Sequence, residues 1–308
     1  MKKRKRRPYI WFLLPGFLLY LAFVIYPILA AGKLSLFEWN GIGEQVFVGL
    51  RNYKELFSDP DMMGQMLNAL KNSLILFVLT VLIQVPIQLI MAYMIYSKAR
   101  GKSYFQVAIF SPQFIATPVI VFLFTLLFDG NVGVVNRVME AVGLGEYTRP
   151  WLRIPQFGIY IVWAMITWAG IGVGMMYFIS AMKMIGMDSL ESAYMEGAGF
   201  WKRLWYIVLP QMKMTILNII LVGYIFCMTV FDYSYLLGGT AGGINGSVDV
   251  MSLFFYRMAF GDNNPLGGRI SNNSVGMGTT IACVLFAMVF VVALIQILIV
   301  YRGGKDNE

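Results

Sequence analysis

Three carboxylates fall close together in Asp188-Ser-Leu-Glu-Ser-Ala-Tyr-Met-Glu-Gly-Ala-Gly, at Asp188, Glu191 and Glu196. Acids at this spacing serve proton transfer, a metal site or a charged contact to another protein. The sequence withholds the groups that most often accompany acids in the first two uses. There is no histidine, and the two cysteines, Cys227 and Cys283, stand far apart. Every His-dependent triad and every His/Cys zinc cluster is thereby removed, and no disulfide framework remains. No residue is assigned a catalytic or metal-binding role; the segment that carries the acids, with an apolar stripe beside them, is shaped to dock onto a partner or to lie on the membrane surface. A second set of groups is uncharged: Gln84, Gln88, Gln113, Thr117, Thr167, Asn218, Thr229 and Gln296, set in apolar stretches with Trp163, Trp168, Tyr177, Tyr224, Phe226 and Phe231. Amides and hydroxyls beside flat rings suit a neutral polyhydroxylated ligand, because rings cover C–H faces while amides pair hydroxyls. The same residues also serve as interhelical hydrogen bonds and lipid-facing rings, and composition alone leaves both uses open.

The elements that must position these residues are set by composition. Of 308 residues, 58% are apolar and 13% charged, against about 45–50% and about 25% in soluble domains. A bilayer core about 30 Å thick takes about 20 apolar residues of helix. Six stretches are long enough, at about 10–32, 72–97, 104–128, 158–182, 214–236 and 275–301. The expected fold class is therefore all-α, a polytopic membrane protein with six transmembrane helices. The first span follows the basic run Lys2 to Arg7; it is too long for a cleaved signal and is read as a retained helix behind a topogenic anchor.

Placing the N-terminus inside puts the larger share of the 24 basic residues on the inner side, as the positive-inside rule requires. Both termini are then cytoplasmic, with inner turns at 98–102 and about 183–213 and outer loops at about 33–71, 129–157 and 237–274. The domain plan is a basic N-terminus, 1–9, and a single transmembrane domain, 10–308. Proline and glycine inside the spans (Pro15, Gly16, Pro27, Pro86, Pro112, Pro118, Gly170, Gly172, Gly174) predict kinks and close helix contacts. No Lys, Arg, Asp or Glu interrupts the middle of a span, Asp232 near the outer end of the fifth being the nearest exception. Ion-coupled pumps keep such groups as relays. A transporter of this composition draws its energy from another subunit.

The loop between the fourth and fifth spans reads as two short helices. Asp188 or Ser189 caps the first, Gly197 and Gly199 turn the chain, and Phe200 to Val208 form a second amphipathic piece before Pro210. Glu191-x-Ala193-x-x-Glu196-Gly197-Ala198, followed by Ile207-x-Leu209-Pro210, resembles the EAA loop of permease subunits in binding-protein-dependent ABC importers. Ser192 stands where that family has its middle alanine, and Ile185-Gly186 where it has Ile-Pro. Phe47-Val48-Gly49-Leu50-Arg51-Asn52-Tyr53, with Asn68 after it, and Tyr256-x-x-Ala259-Phe260 with Gly276-x-Gly278 are similar to segments of the sugar-importing branch, in its MalF-like half. The T-G-G-G-P that the branch carries after the fifth span is replaced by 238–243, Gly-Gly-Thr-Ala-Gly-Gly.

The resemblance implies the type I ABC importer permease fold (MetI-like) in the cell membrane. The implied partners are a second homologous permease, two cytoplasmic ATPase subunits that bind ATP and magnesium, and an extracytoplasmic solute-binding protein; no cofactor is implied for this chain and no nucleic acid. It makes 186–210 the coupling loop, with Glu191 as the charged contact, Gly197 fixing the turn, Tyr194, Met195 and Phe200 supplying apolar area, and Ala193, Glu196 and Ala198 completing the motif. Helix capping is the alternative role for Glu191. By the same resemblance to maltose-type permeases, Gln113, Thr117, Gly170, Gly223, Phe226 and Cys227 face the solute, with Trp168 and Tyr224 near enough to stack on sugar. Structural packing is the alternative for each. The competing functions are an ABC permease for a polyol, glycerol phosphate or amino acid, a polytopic enzyme acting on lipid-linked substrates, and a membrane scaffold. A phosphorylated solute calls for basic residues along the path, and the spans contain none.

Overall fold

The computed structural model describes residues 9–97, 101–185, 187–261 and 274–305. The basic run Lys2 to Arg7, Gly186, and parts of the 98–102 turn and of the last outer loop lie outside the described residues. Among the described residues, five helices are long and apolar enough to cross a membrane: α1 (Phe12–Leu34), α3 (Pro60–Tyr96), α7 (Pro155–Met182), the pair 213–238 and α13 (Val275–Lys305). The remaining elements are α2 (Arg51–Ser58), α4 (Lys102–Phe114), α5 (Thr117–Leu127), α6 (Val134–Ala141), α8 (Met187–Met195), α9 (200–211), α10 (Lys213–Thr229), α11 (Asp232–Gly238) and α12 (Met251–Phe260). One two-stranded hairpin pairs β1 (Phe37–Glu38) with β2 (Val46–Phe47), so the chain is nearly but not wholly helical.

Two expected spans differ. The second begins at Pro60, not near 72. The Asp59 side chain caps α3 by accepting from the backbone N–H groups of Asp61 and Met62, and Pro60 occupies the first turn, where its missing N–H costs nothing. The expected single helix at 104–128 is two helices bent by 99°. Ala116 is extended, with ψ 140°, and stands as the N-cap of α5, whose first turn takes Pro118 where its missing N–H costs nothing. Among the described residues a sixth crossing exists only if this bent pair is counted as one span.

Mid-helix prolines act differently. Among the described residues three π turns occur, at Leu21–Ile25, Thr80–Gln84 and Leu204–Val208, and each is followed two residues later by a proline, Pro27, Pro86 and Pro210. A proline ring clashes with the carbonyl four residues back and offers it no N–H. Widening the turn relieves both, and the N–H before each proline reaches five residues back, from Tyr26 to Leu21, Val85 to Thr80 and Leu209 to Leu204. The helices therefore continue through their prolines.

α7 is the central helix, half of its most apolar window being buried, whereas α1 buries none of its own. At the end of the bundle away from α8 and α9, motif residues tie the loops together. The Asn52 amide donates to the carbonyls of Ser35 at 2.9 Å and Phe37 at 3.0 Å, and Thr280 Oγ1 reaches Ser35 at 3.2 Å. A Cβ on Gly276 would stand 2.0 Å from the Phe37 carbonyl, and one on Gly278 would collide with Ala259. These contacts explain the pattern of asparagine, alanine and glycine at 52, 259, 276 and 278. Asn52→Leu strands two carbonyls and is expected to cost about 1–3 kcal/mol, read as a lower thermal midpoint of the purified chain in detergent.

Candidate functional site

Two places collect the polar groups singled out in the sequence. The first is a cavity of about 590 Å³ between α3, α4, α5, α7 and α10. Its polar lining consists of Thr80, Gln84, Gln88, Gln113, Thr117, Thr215 and Asn218, and its rings are Tyr177, Phe226 and Tyr233; no charged side chain is among the lining residues. Thr80, Gln84 and Gln88 recur every fourth residue and share one face of α3. Gln84 Oε1 accepts from the hydroxyls of Thr167 at 3.1 Å and Thr80 at 3.4 Å, which orients the amide and directs its N–H groups elsewhere. Gln88 donates to the Gly170 carbonyl at 3.4 Å and lies in a cradle open only because residue 174 is glycine, since a Cβ there would stand 2.3 Å from it. Asn218 is held by Gln296 of α13 at 3.2 Å.

Of the eight residues placed along the path by resemblance, Gln113, Thr117, Gly170, Gly223 and Phe226 line this cavity. Trp168, Tyr224 and Cys227 do not. The Tyr224 ring packs edge-on against Phe77 at 5.2 Å, Trp168 leans on Phe124 at 6.0 Å, and the Cys227 thiol is buried 3.9 Å from the Thr80 hydroxyl. Residues 223, 226 and 227 share one broad face, but Cys227 lies on its packed edge. Sequence reasoning had noted Gln84, Gln88 and Tyr177 as polar or aromatic groups in the spans without assigning them to the path. The spacing 80, 84, 88 was the available signal.

The second place is the loop at 187–211. α8 begins at Met187, so Ser189, one of the two expected caps, lies inside the helix, where its carbonyl accepts from the Ser192 hydroxyl; the side chain of Asp188, the other, lies outside the described residues. The helix ends through N–H groups of Glu196, Gly197 and Ala198 donating to the carbonyls of Ser192, Tyr194 and Ala193. Gly197 carries φ +78°, the left-handed geometry in which glycine is free of the Cβ penalty. Ala193 is buried, while Glu191, Glu196, Tyr194 and Met195 face outward, Met195 being 84% exposed. Arg203 of α9 lies over the Tyr194 ring at 5.2 Å and joins the two arms. Phe200, expected to offer apolar surface, turns inward and packs on Tyr93 of α3 at 4.6 Å. Trp201, 56% exposed, presents the ring that Phe200 does not. Glu191 lies in the second turn, past any capping position, and among the described residues no ion pair engages it.

Comparisons with known proteins agree on one kind of relative. No family model matches the chain. The chain is 30% identical over its whole length to the probable ABC transporter permease protein YurN of Bacillus subtilis, all of which it covers. It is 30% identical over 250 residues to the lactose transport system permease protein LacF of Rhizobium radiobacter, covering 81% of this chain and 82% of that one. Among solved structures, a chain of a bacterial alginate ABC transporter in complex with an alginate pentasaccharide-bound periplasmic protein superposes with a TM-score of 0.72 at 24% identity, over 95% of this chain and 93% of that one.

Proposed function

The chain belongs to the family of ABC transporter permeases, and from that premise we propose that it is the MalF-like permease subunit of an ATP-driven importer of a sugar or oligosaccharide. The observation that carries the substrate class is the cavity: about 590 Å³, within the range of small-molecule sites, lined by amides, hydroxyls and rings and free of charge. A phosphorylated solute or the zwitterion of an amino acid would enter it without a partner for its charges, at high desolvation cost. A neutral polyhydroxylated solute meets Gln84, Gln88 and Gln113 with its hydroxyls and Tyr177 or Phe226 with its C–H faces.

A second homologous permease completes the path. α1, whose apolar window is unburied in its own chain, is free for lipid or for that subunit. Two cytoplasmic ATPases bind ATP and magnesium and meet the outward face of α8 around Glu191; an extracytoplasmic binding protein delivers the solute at the opposite end. Both termini are cytoplasmic, in the cell membrane. This chain is the non-catalytic part: it holds, passes and couples, and the hydrolysis belongs to its partners.

The test is co-purification with candidate permease and ATPase subunits from the same genome, followed by ATP hydrolysis with and without a saccharide-loaded binding protein. Association and stimulated hydrolysis are expected; a chain that recruits no ATPase contradicts the proposal. Two glycines then separate path from packing. A Cβ on Gly170 meets only the Gln84 amide, at 3.9 Å, whereas one on Gly172 would stand 2.6 Å from the Ile109 carbonyl and the Phe110 backbone. Gly170→Leu is expected to fold, assemble and lower uptake by on the order of tenfold or more through occupied space. Gly172→Leu is expected to fail in folding. Uptake undiminished in Gly170→Leu would remove the cavity from the path.

A further inference from the structure

α3 is one helix by its hydrogen bonds, yet its two halves belong to different packed bodies. In the first half, Met66 and Ala69 pack with Met251, Phe254 and Met277, and Leu76 packs with Val248 and Leu253. That half is also pinned by hydrogen bonds, Asn68 and Asn72 donating to the Gly246 carbonyl and Asn72 to that of Asp249, while Ser73 Oγ accepts from the Met251 N–H. In the second half, Val85, Leu89 and Tyr93 pack with Met175, Phe178, Leu204 and Val208, in the same cluster that takes in Phe200 and Leu190 of the EAA loop. Between the halves lies the π turn Thr80–Gln84. Its apolar residues Val81, Leu82 and Ile83 join neither body, and Thr80 and Gln84 face the cavity. α7 passes between the same two bodies, with Ile159 and Val162 in one and Met175 and Phe178 in the other. Its crossing segment carries Gly170, Gly172 and Gly174 at the level of the cavity.

Close-packed interiors move as blocks and yield where packing stops. A π turn is such a place, because one more or fewer residue in the turn rotates everything beyond it. Here it is maintained by Pro86, which cannot supply the N–H of an ordinary helical turn.

We propose that the cavity marks a joint between two rigid bodies, that the Pro86-enforced π turn is the joint in α3, and that Tyr93 is the positioning residue that passes the movement to the coupling loop through its ring contact with Phe200. The proposal rests on the transport reading above. It gives Gln84 a second part: a ligand held by its amide holds the joint itself, so cavity occupancy and loop position are linked in both directions.

The experiment uses the assembled importer in nanodiscs, with Cys227 and Cys283 replaced by serine and spin labels at two pairs of exposed positions. Exposed Leu67 adjoins Met66 of one body, and exposed Met184 lies between Met182 and Ile185 of the other; exposed Met94 lies between Tyr93 and Ile95 of that same second body. On trapping ATP with vanadate, the Leu67 to Met184 distance is expected to change by about 2 Å or more and the Met94 to Met184 distance by less than about 1 Å. Pro86→Ala is expected to reduce the first change. Phe200→Leu and Tyr93→Leu are expected to lower binding-protein-stimulated hydrolysis about fivefold or more with the basal rate retained, and Tyr93→Phe to restore stimulation. Phe200→Leu keeps the test available should the buried Tyr93→Leu fail to fold. Equal changes in both label pairs, or full stimulation in Phe200→Leu, overturn the proposal while leaving the transport reading intact. A complex that never forms overturns both.

Discussion

Gly197→Val is expected to lower coupled uptake by on the order of 5–30-fold while the chain still inserts and remains thermally stable. Nothing lies within 4 Å of a Cβ built at this glycine, so the variant meets no clash; its whole effect comes from φ +78°. A side chain in left-handed geometry costs about 1–2 kcal/mol, and a β-branched one more. The turn then relaxes toward ordinary geometry, the Gly197 and Ala198 N–H groups lose the carbonyls of Tyr194 and Ala193, and α8 and α9 change their mutual angle. A penalty of this size lowers the population of the docking geometry about 5–30-fold. Uptake and binding-protein-stimulated ATP hydrolysis are expected to fall together by that factor. Gly197→Asn is the control, because asparagine tolerates the left-handed region and retains much of the activity. Glu191→Ala is expected to act at the same step by another route. The side chain is exposed and engages no ion pair among the described residues, so the fold does not depend on it, whereas truncating one member of a desolvated interfacial charge pair costs about 2–5 kcal/mol. Normal uptake in both variants removes the coupling role from this loop.

Legibility in the sequence followed the range of the interactions involved. The loop at 187–211 is local: a helix end, a glycine turn and a returning arm lie within one short segment, so its helix–turn–helix shape is readable from residue types and their order. Hydropathy found the apolar middle of each span but misjudged the start of α3, because Gln65, Asn68, Lys71 and Asn72 lower the apolar score there. Asn68 and Asn72 bind carbonyls more than 170 positions away, which no window along the chain can register. The Asp59-Pro60 start signal was present and outweighed by hydropathy. The prolines were read alike as kinks, whereas their effect depends on context: Pro118 begins a helix after a bend, and Pro86 widens one without interrupting it. Phe200, expected to offer apolar surface, is half-buried for a related reason. Its neighbours Tyr194 and Met195 do face outward, but whether a ring at the turn points out or in depends on Tyr93, a residue of another span.

The second large effect is expected far from the cavity, at a group that motif reading passed over. Arg257 lies inside Tyr256-x-x-Ala259-Phe260 at one of its unspecified positions, yet it is 8% exposed and joins several segments. Its guanidinium donates to the two carboxylate oxygens of Asp249 from its two terminal nitrogens, at 2.6 and 3.2 Å, donates to the Thr240 carbonyl at 2.9 Å and to Gln65 Oε1 of α3 at 3.3 Å, and lies over the Phe254 ring. Burial pushes the Asp249 carboxyl above the usual carboxylate range, and Arg257 opposes that rise. Such a pair adds little net stability against an apolar replacement of the same shape, but breaking it from one side leaves a buried charge unpaired. Arg257→Met is therefore expected to destabilise the chain by about 3–5 kcal/mol, read as a lower thermal midpoint. Adding Asp249→Asn is expected to recover most of that loss, because the stranded charge is gone. The pH dependence separates this cause from lost packing. Without Arg257 the folded-state carboxyl is raised further, so the native state binds the proton more tightly than the unfolded chain does. Stability of Arg257→Met is then greatest below the ordinary carboxylate range and declines as pH rises from there toward the raised value. The double variant has no such carboxyl and no such slope. A single variant as unstable at pH 5 as at pH 8 would assign the loss to packing over Phe254 and to the Thr240 contact instead of the unpaired charge. The pair also anchors the 240–249 segment to α12 and, through Gln65, to α3. Its loss is expected to loosen one of the two bodies between which the Thr80–Gln84 turn works, lowering coupled uptake even at temperatures where the single variant stays folded.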